Sequence, residues 1–428
     1  MKTYVNPDKS SWSEILSRPT QSFETIEPAV KEVFDKVKKN GDDAIKRYTA
    51  KFDQVELTDL KVSSTEIREA VHKVPENLKE AILLAKSNIE KFHNAQKTEK
   101  VIIETMPGVK CWQEKRPIQK VGLYIPGGTA PLFSTILMLA VPAKLAGCEE
   151  IVLCSPPDEQ GKLYPAILYT AQLCGVTQIF KVGGIQAIAG MTYGTQTIPR
   201  IYKIFGPGNQ YVTVAKQWAT KSGVAIDMPA GPSELLVVAD DTANATFVAS
   251  DLLSQAEHGV DSQVVLISTS KELISKVAFE IERQLNDLPR REIAAKAIEN
   301  SRLIYVEDDT TALEIINAYG PEHYIVCVEN EDFYVQHTVN AGSVFIGNYT
   351  PESAGDYASG TNHTLPTNGH AKQYSGVNLD SFMKSMTFQK ISKAGIKNIG
   401  PAVELMAEAE GLQAHKNAVN LRLKELND

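Results

Sequence analysis

The sequence predicts an α/β protein with two parallel sheets, and three observations carry that prediction. From Lys120 to about Ser233, short apolar runs take turns with helical segments, the rhythm of βαβ units whose sheet is covered on both faces. From Ser233 to about Asn348 the same rhythm returns. The helical stretch before Lys120 has no strands of its own, so its helices are expected to pack on the second sheet, with the first block inserted between them.

Taken in order, residues with Trp12, Leu16 and Pro19 read as an arm with one short helix. Between Gln21 and Gln96, apolar residues recur three and four apart (Val30, Val33, Phe34, Val37; then Ile82, Leu83, Ile89, Phe92), which makes amphipathic helices. His72 and His93 lie among their charged residues and read as solvated. In the first block, VGLYIP, IVLCSPP, QIFKVGG and IYKIFGPGN are strands, separated by helical runs such as LFSTILMLAVPAKLAG. Three of these strands end in glycine-rich turns: PGGTAP after Tyr124, VGG at Gly183 and Gly184, and FGPGNQ at Gly206 and Gly208. Glycine lets backbone amides approach a phosphate, and a following helix N-terminus favours the anion. None of the turns is GxGxxG, and the second strand ends in SPP without the acid that would hold a ribose. Tight turns in a parallel sheet need glycine in any case.

The second block offers the strands ELLVVAD, QVVLIST, LIYVED, HYIVCVE and GSVFIGN with helices between. Then comes Tyr349–His370, which has too little apolar content for a strand or an amphipathic helix and reads as a long loop. Such a loop inside a domain is either disordered or functional, and Asp356, Tyr357, Asn362 and His363 give it ligand and proton-transfer chemistry. From Asn378 the chain reads as helix to its end.

The chain has 428 residues, 43% apolar and 22% charged, enough for more than one domain. Its net charge of −8 provides no concentrated basic surface for nucleic acid. The run Leu132–Gly147 is broken by Pro142 and Lys144 and is short of a membrane span. No secretory signal opens the chain, and the five cysteines form no CxxC pair, so a reducing cytoplasm is expected.

Residues that carry chemistry cluster at the edges of the second block. Gln255 and His258, three apart at a helix end, can offer two metal ligands from one side, although glutamine is an uncommon zinc ligand. Taken alone the pair is equally a polar helix end. Glu322 and His323 stand where a helix gives way to a strand; adjacent residues on extended chain face opposite ways, so they should not work by direct contact. Glu410 and His415 lie on the last helical segment. Histidine, aspartate and a carboxamide oxygen together suit Zn²⁺.

The strings VGLYIPGG, FGPGN, AIDMPAGPSE, DLLSQAEHG, GPEH, GDYASGTNHTLPT and EGLQAHK, in this order, closely resemble the histidinol dehydrogenase family from Arg18 and Pro19 to the C-terminal helices. The resemblance implies a zinc-containing homodimer that oxidises L-histidinol to L-histidine with two NAD⁺, through an aldehyde, with one zinc per subunit. Its zinc ligands would be Gln255, His258, Asp356 and His415, the last reaching across to a partner subunit. Ser233, His363 and Glu410 match substrate-contacting positions, as do the ligands and His323, while Tyr124, Gln186 and Asn209 match NAD-binding ones. Glu322 and His323 match the acid–base pair. Tyr324 departs from the family, which is expected to carry a smaller aliphatic residue there. The implied organisation is two Rossmann-like domains: an arm over 1–23, a first domain over 24–123 and 234–377, an inserted NAD domain over 124–233, and a helical dimerisation segment over 378–428. Two other classes fit the ligand set. A zinc hydrolase would use the same His/Asp site but would not need the first block; a structural zinc protein would close its fourth coordination position. A cysteine nucleophile is a rival route to the aldehyde, yet no cysteine stands beside a histidine in sequence.

Overall fold

Both parallel sheets are present in the computed structural model, which describes residues 1–19, 23–127, 131–229 and 231–427. The first has five strands in the order Gln178–Lys181, Glu150–Ser155, Lys120–Tyr124, Lys203–Phe205, Ala225–Ile226. The second has six, ordered Lys2–Val5, Arg302–Tyr305, Gln263–Ser268, Glu234–Ala239, His323–Cys327, Ser343–Ile346. Apart from Lys2–Val5 at the edge of the second sheet, in both the chain enters mid-sheet, works outward to one side, then returns to build the other. The reversal leaves a switch point, between Lys120–Tyr124 and Lys203–Phe205 in the first sheet and between Glu234–Ala239 and His323–Cys327 in the second.

The N-terminal arm does more than carry a helix. Lys2–Val5 adds a parallel strand to the edge of the second sheet, and Trp12, Ile15 and Leu16 are buried in that sheet's core. Arg18 comes next, with its guanidinium donating to both carboxylate oxygens of Glu234 (2.5 and 2.8 Å) and lying 3.9 Å over the Tyr319 ring.

The amphipathic helices after the arm, over 23–94, pack on the first sheet's side, not the second's. Val30, Val33, Phe34, Val37 and Ile45 share one core with Val152, Ile188 and Ala215, and Phe34 meets Tyr193 edge to face at 5.8 Å. Apolar spacing fixes which face of a helix is buried but says nothing about which sheet receives it. His93, expected in solvent, is fully buried: its Nδ1 lies 2.9 Å from Ile89 O and its Nε2 3.3 Å from Asn362 Nδ2. The chain near Ala358 crosses this helix, where Asn88 Nδ2 donates to Ala358 O at 2.9 Å.

Two further expectations change. Residues 349–370 contain a short helix, Glu352–Tyr357, where a loop was expected. Tertiary packing makes it: a Cβ on Gly355 would sit 2.5 Å from the Phe345 ring, so only glycine lets the turn lie this close to the sheet. Beyond Asn378 the chain is not all helix, because Met383–Ile391 is a strand. It pairs antiparallel with Val109–Pro117, which pairs with Ile102–Met106. These strands and the helices Lys393–Ala409 and Gln413–Glu425 form a second compact unit, 97–117 with 383–428, while 1–96 and 118–382 form the first. Trp112 stacks on Phe388 at 5.5 Å within it. Among the described residues no helix is long and apolar enough to cross a membrane.

Candidate active site

At the carboxyl ends of the first sheet lies a cavity of about 1000 Å³. Four of the five strand ends build much of its wall, with Tyr124, Pro126 and Gly127, Ser155 to Asp158, Gly184 to Gln186, and Asn209, and residues 29–33 and 48–53 of the N-terminal helices add to it. Two helices, Gly184–Tyr193 and Gln210–Lys221, begin at this wall, an arrangement suited to phosphate. Gly206 shows why the FGPGN turn needs glycine: at φ +127° an added Cβ would lie 2.1 Å from Tyr124 O. The buried Lys216 fastens the same turn, donating to Gly206 O at 2.8 Å and pairing with Asp227. The Tyr124 hydroxyl accepts from Gly184 N–H at 3.1 Å, and burial pushes its pKa up to about 12. Asn209 caps its helix by accepting from Val212 N–H, and Gln186 is buried with its Oε1 unpartnered. Residues 128–130, the middle of the PGGTAP turn, lie outside the described residues, as does Ala230.

The second sheet gathers its reactive groups at the opposite end, where strands begin. His323 opens its strand, 4% exposed, within reach of side chains from three other elements. Its Nδ1 lies 3.2 Å from Glu234 O and 3.2 Å from Gln255 Nε2, with Glu352 Oε1 at 3.5 Å and Glu322 Oε2 at 3.7 Å. Gln255 Nε2 also reaches Glu234 O at 3.2 Å. His323 Nδ1 thus faces both an acceptor, Glu234 O, and a donor, Gln255 Nε2, and the tautomer decides which it engages. Nε2 has no hydrogen-bond partner and lies 3.5 Å from Asp356 Oδ1. Gln255 Oε1 is likewise buried and unpartnered.

Charge is set by this crowding. Burial opposes a charged His323, but Glu352, Glu322 and Asp356 outweigh it and raise its pKa well above the ordinary value. Burial pushes Glu322 up to about 8, and raises Glu352 well above the usual carboxylate range. Asp356 is held low despite burial, by His323 first and then by His363 and His258. Desolvation lowers His258 and His363, with Asp356 opposing in each case. His363 is fixed from both sides, Nδ1 at 2.8 Å from Asp356 O and Nε2 at 3.1 Å from Thr135 Oγ1. Ser233 precedes Glu234, whose backbone N–H donates to Glu322 Oε2 at 2.9 Å.

The structure thus brings Gln255, Glu322, His323, Asp356 and His363 together, with His258 close enough to feel Asp356. Glu322 and His323 do approach each other, because the strand starts only at His323 and the alternation of extended chain does not reach Glu322. His258 lies past the end of its helix, Ala245–Ala256, in a turn where its N–H donates to Gln255 O. Asn362 is an anchor, donating to Met138 O at 2.6 Å. Tyr324 is fully buried in the core of the sheet's other face. Glu410 and His415 are exposed on the second unit, at the end of Lys393–Ala409 and on Gln413–Glu425. The residue that sequence reasoning missed is Glu352. It is 1% exposed, both its oxygens lack partners, and with His323 and Asp356 it offers ligand atoms within 4.8 Å of one another. It stands four residues before Asp356, a helical offset that carries meaning only once this segment is known to be helix.

Comparison with known proteins gives one consistent answer. A family model described as histidinol dehydrogenase matches residues 16–423. A histidinol dehydrogenase from Bacteroides fragilis is 59% identical over 426 residues, covering 100% of both chains. One from Escherichia coli K12 is 52% identical over 418 residues, covering 97% of this chain and 95% of that protein. The crystal structure of histidinol dehydrogenase from Elizabethkingia anophelis matches with a TM-score of 0.98 at 57% identity, covering 100% of this chain and 99% of that one.

Proposed function

Because the chain belongs to the histidinol dehydrogenase family, we propose that its two sheet ends serve one reaction sequence, the oxidation of L-histidinol to L-histidine in two NAD-dependent steps. The observation that carries this reading is His323, buried among Glu322, Glu352 and Asp356, with an Nε2 that has no hydrogen-bond partner and lies 3.5 Å from Asp356 Oδ1.

Zinc fits the donor set. Gln255 has its amide nitrogen pinned to Glu234 O and its oxygen left without a partner, and Asp356 is held anionic. Gln255, His258 and Asp356 would hold the metal, completed by His415 from a second copy of the chain. When bound, zinc would hold and orient histidinol, and two NAD⁺ in succession would accept one hydride each.

The chain's own residues move the protons. His323 Nε2 removes the hydroxyl proton in the first oxidation. Glu322 uses one oxygen to hold Glu234 N–H, leaving the other for a water, from which it takes a proton as that water adds to the aldehyde. A carboxyl pushed up to about 8 is a stronger base than an ordinary one. Ser233, His363 and Glu410 would contact substrate, and Tyr124, Gln186 and Asn209 would contact NAD. The cysteine route lacks support: Cys148, Cys174 and Cys327 are buried and desolvation pushes each thiol up to about 12. The hydrolase alternative leaves the first-sheet cavity without a purpose, and family membership sets it aside.

The wider reading is a homodimer joined through 378–428, with the domain division at 124–233, in a reducing cytoplasm that suits five free thiols and without a nucleic-acid partner. The test is stoichiometry. Zinc-loaded protein with excess NAD⁺ should form two NADH per L-histidinol and yield histidine; one NADH would stop the chemistry at the aldehyde and remove Glu322 from its role.

A further inference from the structure

Nucleotide sites on parallel sheets hold the ribose hydroxyls with an acid at the end of the second strand. Here that strand, Glu150–Ser155, ends in Pro156 and Pro157, and of the two carboxylates that follow in the cavity wall, Asp158 is engaged, its Oδ1 accepting from Gln160 N–H and Lys162 N–H, both at 2.9 Å, while Glu159 is exposed. The cavity wall contains another acid from an unexpected place. Asp53 comes directly after the helix Asp42–Phe52, part of the N-terminal layer that packs on this sheet, and it lines the same cavity as Tyr124 and Gln186. Its hydrogen-bond partner among the described residues is Gln186 Nε2, at a long 3.4 Å. The other acid of that layer in the cavity wall, Glu32, already accepts from Tyr48 OH at 3.2 Å. Gln186, 1% exposed, keeps an unpartnered Oε1 beside it.

We propose that Asp53 is a cofactor-selecting residue: with Gln186 it accepts the vicinal hydroxyls of a nucleotide ribose, and its charge repels a ribose phosphate, so the cavity takes NAD⁺ and rejects NADP⁺. A carboxylate accepts from two adjacent hydroxyls at once, and nothing in the diol needs a cation. Burial pushes the Asp53 carboxyl up to about 6, so at neutral pH it is largely charged, and among the described residues no ion pair engages it. This role for Asp53 rests on the cofactor reading of the cavity: the N-terminal helices supply a half-buried acid where the strand end offers only Asp158, already bonded, and the exposed Glu159.

Calorimetric titration of the zinc-loaded protein with NAD⁺, NADP⁺ and 2′-deoxy-NAD⁺ separates the two. The wild type should prefer NAD⁺ over NADP⁺ by about 100-fold or more and lose about 10-fold or more with 2′-deoxy-NAD⁺, the size of a hydrogen bond to a charged group. Asp53→Asn should weaken NAD⁺ by a similar factor, narrow the gap to NADP⁺, and erase the difference between NAD⁺ and its deoxy analogue. Failure of the wild type to bind any of the three would overturn the cofactor reading itself. NAD⁺ binding with no discrimination against NADP⁺ or the deoxy analogue, or an Asp53→Asn variant that binds all three like wild type or weakens all three equally, would overturn the role of Asp53 alone. The wild-type titrations decide the matter even if the variant does not fold.

Discussion

The two parallel sheets share a topology but use opposite ends. In the first, the ligand cavity lies where strands finish and helices begin, so backbone N–H groups and positive helix ends face it. In the second, the reactive cluster lies where helices finish and strands begin: His258 comes after Ala245–Ala256, and Glu322 after Asp309–Tyr319. Helix C-termini favour cations, and this end collects Glu234, Glu322, Glu352 and Asp356 around one histidine. One end is an open cavity shaped largely by backbone; the other is closed, built from side chains, and carries unpartnered polar atoms on Gln255, His323 and Glu352. The difference matches the charges of the two ligands proposed for these ends, an anionic pyrophosphate for one and a metal with an aminoalcohol for the other.

If the closed cluster carries the chemistry, damage there should cost far more than damage to the cavity. His323→Ala should lose about 10²–10⁴ in turnover while keeping its zinc and its affinity for NAD⁺, the range expected when a general base is removed. His258→Ala should lose the metal itself, read by elemental analysis. A zinc-free His323 variant would erase the distinction between base and ligand. The aldehyde step has its own signature. Since burial pushes Glu322 up to about 8, the base form is lost as pH falls, so oxidation of supplied histidinal should rise through a midpoint near 8. Glu322→Gln should abolish that limb without abolishing zinc binding. Glu352→Gln should lower turnover by about 10–100-fold with a smaller change in KM, because the Glu352 carboxylate lies 3.5 Å from His323 Nδ1 and its charge bears directly on that ring. A loss of zinc in that variant would make Glu352 a ligand instead.

The same contrast explains what could be read in advance. The cavity was legible because the glycine of a strand-end turn is local: Gly183, Gly184, Gly206 and Gly208 announce themselves within a few residues of their strands. The alternation that predicts both sheets is local too. The cluster was legible only through resemblance, since Gln255, Glu322 and Asp356 come from three separated elements and each, alone, reads as an ordinary polar residue. Glu352 was hidden because the segment has no apolar periodicity, its helix being imposed by Gly355 packing on Phe345. Asp53 was hidden because amphipathic spacing shows a helix's buried face, not its host. The strand Met383–Ile391 escaped because it is largely exposed, so it has no buried face to produce an alternation.

The smallest expected effect sits in the cavity and tests the contrast most finely. Tyr124 has its hydroxyl bound by Gly184 N–H at 3.1 Å, the first amide of a helix that faces the cavity. Tyr124→Phe leaves the ring in its buried place but removes the acceptor, freeing that amide and any contact the hydroxyl makes to NAD. The net worth of one such bond is about 0.5–1.5 kcal/mol, or roughly 2–12-fold in affinity. Steady-state kinetics should therefore show KM for NAD⁺ raised by that factor, with zinc content and the pH limb of histidinal oxidation unchanged. A change in the pH limb would mean that the two ends are electrostatically joined through the protein, and the division into an open backbone cavity and a closed side-chain cluster would have to be given up.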